Sequence, residues 1–327
     1  MNDRIVFLTG ATGFMGERLA RRLLESGFRV RCLVRSAARA ESLRAAGAEL
    51  LIGEVTDQGV LEIGMRGASL AYHLAAIYDI GVIDRRAMEH TNVDGTRAFL
   101  GALQTSNVAK GIYVSTTAAL GPAEAGESDR ITEYAGPFPS YYHRTKATAH
   151  RLARESQKRG VPLIIVCPAY VYGPGDHGPG GRFVRDLLRR RVPGLLTKPA
   201  WFSYVHVDDV VEGLLLAGER GRAGATYVLS GEAESVTGFA RRVTELARVK
   251  PPFLSFPPFL ASATGVLLDA VTRITGLRFP ISREAVAVSA GHRWLHTHAP
   301  ATNELNWQPR SLAEGLPETV TWFVAHS

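Results

Sequence analysis

Three glycines, Gly10, Gly13 and Gly16, stand three apart directly after the apolar run Ile5 to Thr9, and an Arg- and Leu-rich stretch, Glu17 to Glu25, follows at once. A strand running through a glycine turn into a helix is what the pyrophosphate of a dinucleotide requires. One glycine makes the tight turn, one lets backbone approach the phosphates, and the last lets helix and strand pack closely. The helix N-terminus adds N–H donors and the positive end of its dipole. The spacing here is GxxGxxG rather than the GxGxxG of many dehydrogenases.

A second pair of chemical groups lies far along the chain. Tyr142 and Lys146 fall within Tyr141 to Lys158, which reads as a helix, and residues four apart share a helix face. A phenol and an ammonium can therefore point into one site. With ten tyrosines and five lysines in 327 residues, a chance Tyr-x-x-x-Lys is expected only ~0.15 times.

The elements that must carry these residues alternate. After the first strand come strand-like runs at 28–34, 48–53, 69–75, 111–116 and 161–167, with helical stretches at 36–46, 57–65, 84–105 and 141–158 between them. Such alternation predicts an α/β fold, a Rossmann-type doubly wound parallel sheet whose ligands bind beyond the carboxyl ends of the strands. Gly10, Arg35, Ala75 and Thr116 all stand at such ends. From Tyr170 the rhythm changes. A turn-rich loop at 172–181 precedes a basic helix (183–191). The run Val205 to Asp209 opens a helix to Glu219 with an acidic residue placed to cap it. A strand at 226–230 and helices at 237–249, 260–274 and 311–323 follow. The expected division is a cofactor-binding domain over 1–170, to which parts of 200–230 return, and a smaller, mostly helical substrate lobe over 171–327, interleaved with it.

Composition narrows the class. The chain carries 38 basic and 31 acidic residues, net +7, with the cations spread along it rather than concentrated with aromatics on one element. That argues against a nucleic-acid binder and suits a phosphorylated cofactor in an arginine-rich protein. Cys32 and Cys167, each in an apolar run, read as buried reduced residues, and no spacing suggests a metal site. The chain enters its first strand at once, so no signal peptide is expected; with no uninterrupted apolar stretch of about twenty residues, a soluble, cytoplasmic protein without a membrane span is expected.

Ordered motifs then accumulate: Thr9-Gly-Ala-Thr-Gly-Phe-Met-Gly16, Gly53-Glu-Val-Thr-Asp57, His73-Leu-Ala-Ala76, Asn92-Val-Asp-Gly-Thr96, Val114-Ser-Thr-Thr117, Tyr142-x-x-x-Lys146, Pro168 to Pro174, Val205-His-Val-Asp-Asp209 and Asn303 to Arg310. Through them the chain resembles, over nearly its whole length, an extended short-chain dehydrogenase/reductase of the NAD-dependent epimerase/dehydratase group, of the dihydroflavonol-reductase or 3β-hydroxysteroid-dehydrogenase type. The resemblance implies that Tyr142 is the acid/base catalyst. Its phenol, ordinarily near pKa 10, would be lowered by the Lys146 ammonium and the oxidised nicotinamide. Lys146 would also bond the nicotinamide ribose. A hydroxyl after the fifth strand would hold the substrate oxygen; counting back from Gly121 selects Thr116, with Ser115 next.

The same resemblance assigns cofactor contacts to Gly10, Thr12, Gly13, Phe14, Met15 and Gly16 around the pyrophosphate. Glu54 and Val55 would lie by the adenine, where the family usually has Asp-Leu. Leu74, Ala75, Ala76, Pro168 and Val171 would meet the rest of the molecule, with Tyr142 and Lys146. At the end of strand two an NAD-selective site presents an acid; this chain has Arg35, which can pair with a 2′-phosphate, so NADP(H) is expected over NAD(H). His206, Asp208 and Asp209 read as the junction between lobes. Cys167 stands where relatives often carry arginine, and nothing in the sequence explains that change.

The implied activity is NADP(H)-dependent interconversion of a hydrophobic alcohol and its carbonyl, favoured by the apolar, proline-broken wall Phe253 to Phe259 and the helix after it. A homodimer is compatible with the resemblance. The alternatives are a nucleotide-sugar epimerase or dehydratase, and a non-catalytic NADP-sensing protein. Thr117-Ala118 stands where dehydratases carry an Asp-Glu pair, and the retained Tyr142 and Lys146 oppose the non-catalytic reading.

Overall fold

Along β1 (Ile5–Thr9), Val6 and Leu8 face one side and Phe7 the other, the period-two alternation of a strand buried on both faces. The same alternation recurs in β2 (Arg29–Val34) and, apart from the partly buried edge strand β3 (Glu49–Ile52), in β4 (Ala68–His73), β5 (Lys110–Val114) and β6 (Leu163–Pro168). In this computed structural model, which describes residues 4–123, 134–277, 279 and 281–326, these strands join Thr226–Leu229 in one sheet. The order is Thr226–Leu229, β6, β5, β4, β1, β2, β3, and every neighbouring pair is parallel.

Helices cover both faces, so each face closes its own core. Val6, Leu8, Val30, Ile112, Ile164 and Val166 pack with the helices Phe14–Glu25 and Val207–Arg220. Phe7, Leu33, Tyr113, Leu163 and Ile165 pack with Gln58–Met65, Gly95–Thr105 and Tyr141–Lys158. This is the doubly wound α/β architecture expected. The direction of winding reverses between β1 and β4, and the crevice beyond their carboxyl ends is where such sheets bind ligands. Cys32 and Cys167 are buried free thiols, pushed up to about 12 by burial.

Past β6 the chain builds a third core and a second, four-stranded sheet in which Trp201–His206 pairs with Tyr170–Tyr172, Glu232–Ser235 and Arg293–Trp294. Those short strands interrupt what reads from sequence as a mainly helical lobe. The stretch expected as one helix over 84–105 is broken into Arg85–Glu89, a π turn His90–Asp94 and Gly95–Thr105. The helix after Val205 is capped by His206, whose Nδ1 accepts the Asp208 N–H, and not by an acid; Asp208 and Asp209 occupy its first turn. Among the described residues no helix is long and apolar enough to cross a membrane.

Candidate active site

The glycine turn is held by contacts that leave no room for side chains. Gly10 sits at φ +74°, and a Cβ there would lie 2.6 Å from the Ala75 nitrogen and the Leu74 carbonyl carbon, so the ends of β1 and β4 touch through backbone. A Cβ on Gly16 would lie 2.0 Å from the Gly10 carbonyl oxygen, so the first helix starts against the turn. That helix, Phe14–Glu25, is N-capped by Gly13 with no side-chain bond, whereas Ser140, Asp57 and Ser235 cap theirs with side chains. Its first-turn N–H groups stay available to an anion.

Across the crevice the helix Tyr141–Lys158, capped by Ser140, presents Tyr142 and Lys146 on one face. Burial raises the Tyr142 phenol, and a hydrogen bond with the Thr116 side chain pulls it the other way. Burial is the larger of the two effects. The Lys146 ammonium donates to the Val114 carbonyl (3.0 Å) and the Tyr113 hydroxyl (3.3 Å), and burial lowers it to about 8. Ser115 and Thr116 part company: Ser115 Oγ bonds His150 Nδ1 at 2.8 Å inside the core, while Thr116 meets Tyr142.

A chain of hydrogen bonds joins the glycine turn to the Tyr142 helix. The Ala75 N–H donates to Thr9 Oγ1 (3.4 Å), which bonds His73 Nδ1 (2.8 Å); His73 Nε2 bonds Thr96 Oγ1 (3.2 Å), which donates to the Asn92 carbonyl (2.7 Å). Asn92 Nδ2 then donates to Thr145 Oγ1 (3.1 Å), which donates to the Tyr142 carbonyl (2.9 Å). Because Thr96 spends its proton on Asn92, His73 must donate through Nε2 and accept at Nδ1. Burial and the nearby Lys146 lower His73 to about 3, so it stays neutral. Asn92 also brackets Ile77, accepting its N–H (2.7 Å) and donating to its carbonyl (3.0 Å), from inside the π turn. The motif at Asn92 does not by itself reveal this role, because the burial that forces the amide to find partners comes from the fold.

Two cavities meet over these groups. The first, about 350 Å³, is lined by the glycine turn with Phe14 and Met15, by Leu74 and Ala76, by Ser115, Thr116, Tyr142 and Lys146, and by Pro168 and Val171. Tyr78, whose ring lies 4.7 Å from that of Tyr142, and the buried carboxyl of Asp176, raised by that burial, line it as well; sequence reading named neither. The second, about 640 Å³, shares Tyr78, Ile80, Tyr170, Phe202 and Val288 with the first and extends between Phe183, Leu195, Phe256 and Ile281. At its edge Arg182 is paired with Asp79 at 2.5 Å. The expected apolar wall is only partly there: Phe256 lines the cavity, but Phe253 and Phe259 point to solvent.

Thr12, Arg35, Glu54, Val55 and Ala75 do not line either cavity. Arg35 and Glu54 stand at the neighbouring ends of β2 and β3, each one residue beyond the bond from Gly53 N–H to the Val34 carbonyl (3.1 Å). Arg35 is exposed, and among the described residues it has no carboxylate partner. Val55 packs against Gly95. The segment at His206 bridges parts of the chain: Arg18 reaches Asp208 (3.1 Å), and Asp209 takes both the backbone N–H and the Nε of Arg310 (2.9 Å each).

Glycines without Cβ room and an uncapped helix start fit the pyrophosphate of a dinucleotide. Comparisons agree. The protein named "Putative dihydroflavonol 4-reductase" from Synechocystis is 30% identical over 98% of this chain and 94% of its own. The sterol demethylase protein B of Methylococcus capsulatus is 29% identical over 97% of both chains. The crystal structure of gox2253 superposes with a TM-score of 0.82 at 31% identity over 99% of both chains. Residues 6–230 match the family model, and the chain belongs to the NAD dependent epimerase/dehydratase family, an enzyme of the extended short-chain dehydrogenase/reductase kind that uses a nicotinamide cofactor.

Proposed function

We propose that this enzyme interconverts a hydrophobic alcohol and its carbonyl with NADP(H). The observation that carries the reading is the Thr116 side chain set against the Tyr142 phenol in the first cavity, beside Tyr78, which lines both cavities. A bound nicotinamide supplies the carbon that gives or takes the hydride. Thr116 orients the substrate oxygen, with Ser115 committed to His150. Tyr142 Oη moves the proton to or from that oxygen, and Lys146 stabilises the phenolate and holds the nicotinamide ribose. Gly10, Gly13, Gly16 and the first-helix N–H groups hold the pyrophosphate, and Arg35 holds the 2′-phosphate. On this reading residues 1–170, with the returning strand Thr226–Leu229, bind cofactor, and 171–327 supply the substrate chamber.

The second cavity supports an apolar substrate. Arg182 is occupied by Asp79, and the Arg185 guanidinium lies over the Phe323 ring (5.5 Å), so neither is poised for a nucleotide diphosphate. The two named relatives above carry flavonoid and sterol names, both apolar classes. The deciding experiment sets NADPH consumption with a panel of aromatic and aliphatic ketones and aldehydes against UDP-sugar interconversion. Consumption with apolar carbonyls is expected; interconversion without cofactor consumption would overturn the proposal.

A further inference from the structure

Among the described helices of ten or more residues, Pro258–Thr275 buries least of itself, only Gly265. Its exposed positions recur every three or four residues from Phe259 to Ile274, and Arg273 is the one charge among them. The apolar ridge runs on at both ends through Phe253, Leu254 and Leu277; Ile274 is 85% and Phe253 83% exposed. Soluble surfaces rarely carry so continuous an apolar face without a partner.

The surroundings say what the partner is. Leu254–Phe256 pairs with Gly194–Leu196, and the Leu254 N–H donates to the Pro193 carbonyl (3.2 Å), so the start of the ridge lies beside Arg189, Arg190 and Arg191. Arg248 and Lys250 lead into it, and Arg273 stands within it. All six cations are exposed, and among the described residues none has a carboxylate partner; Arg191 also lines the second cavity, which leaves five turned wholly to the surface. Of the nearby acids, Asp269 accepts the Arg283 N–H (3.2 Å), Asp186 turns to the second cavity, and Glu245 alone remains exposed. A twofold pairing of this face with itself would set cations against cations. An anionic bilayer satisfies both features: its phosphates meet the cations and its acyl boundary takes the ridge.

We propose that this face lies on anionic lipid membranes, with Pro258–Thr275 parallel to the bilayer plane and its apolar positions in the acyl boundary. At about 1.5 Å per residue the helix would lie along the surface for ~27 Å. This association is independent of the reaction proposed above, and its test reads binding rather than turnover.

The test is flotation of the full chain with vesicles of phosphatidylcholine alone and of phosphatidylcholine with an equal part of phosphatidylglycerol. Flotation with the mixed vesicles, weak flotation with phosphatidylcholine, and release by salt are expected. Replacing Leu267 and Ile274 together by Glu should abolish it. Replacing Arg189, Arg190 and Lys250 together by Gln should lower partition roughly a hundredfold, at about fivefold per cation. Both variants alter exposed residues, and unchanged circular dichroism checks that they fold. No flotation of the wild type, or flotation that neither variant weakens, overturns the proposal. So does a dimer in sedimentation that Leu267→Glu dissociates while no vesicle binds.

Discussion

The Gly10 carbonyl oxygen lies only 2.0 Å from where a Cβ on Gly16 would stand, and 3.2 Å from one on Gly13. The first helix can therefore meet β1 only through a bare Cα. Gly16→Ala should push the helix start away from the turn, costing about 1–3 kcal/mol and weakening cofactor binding at least tenfold. Gly13→Ala, at an ordinary backbone angle and a looser contact, should cost less stability. Urea midpoints for the two variants, with cofactor titration, check this; equal midpoints would remove the close packing from the account.

Cofactor choice should rest on Arg35. It stands at the end of β2 with no carboxylate partner among the described residues, in the position from which an acid would select the unphosphorylated ribose. A charge-assisted pair with phosphate contributes ~1.5–3 kcal/mol, hence roughly a ten- to hundredfold preference for NADP(H). Arg35→Ala should erase that preference and leave NAD(H) affinity unchanged in fluorescence-quenching titrations. Equal affinities in the wild type would end the argument.

What could be read from sequence was what is local. The strand, glycine turn and helix at Ile5 to Glu25, and the helix Tyr141–Lys158, follow from periodicity and spacing within a dozen or so residues. What could not be read depends on partners far away. Tyr170–Tyr172 is three residues long, too short for an alternation to show, and exists because Trp201–His206 pairs with it. The π turn at His90–Asp94 belongs to Asn92's hold on Ile77, fifteen residues back. Ser115 and Thr116 carry the same chemistry at a strand end, where adjacent side chains point to opposite faces; only the position of His150 separates them. Pro258–Thr275 has the composition of a core helix, and composition does not tell whether a core covers it.

Acid should unfold this protein early. Burial lowers His73 and His150 to about 3 and His143 to about 4, whereas an unfolded histidine titrates near 6.5. Below pH 6.5 the unfolded chain binds protons that the folded chain refuses. The stabilisation is therefore complete above 6.5 and lost as pH falls toward 4 and 3. Each group contributes about 1.4 kcal/mol per pH unit, so the three together predict a loss of roughly 4 kcal/mol between pH 7.5 and 5.5. Urea unfolding at the two values measures it. His150→Gln, which keeps a partner for Ser115 Oγ, should reduce the loss by about 1.4 kcal/mol; a flat profile would contradict the buried neutral histidines.

Tyr142 and Lys146 should separate by what each variant spares. Tyr142→Phe removes one oxygen and keeps the ring against Tyr78, 4.7 Å away, so the site's shape survives. Turnover of whichever carbonyl the panel yields should fall below a hundredth of the wild type while NADP(H) affinity stays within about twofold, because the phenol's proton is lost and the pyrophosphate contacts are untouched. Lys146→Met should damage both. Its ammonium is buried between the Tyr113 hydroxyl and the Val114 carbonyl, and removing it leaves that carbonyl without a donor on the side facing the cavity as well as taking away the ribose contact. Steady-state kinetics paired with cofactor titration on the two variants distinguishes the roles. A Tyr142→Phe enzyme that keeps more than a hundredth of its rate would assign the proton to another group, and a Lys146→Met enzyme with unchanged cofactor affinity would confine Lys146 to tuning the phenol.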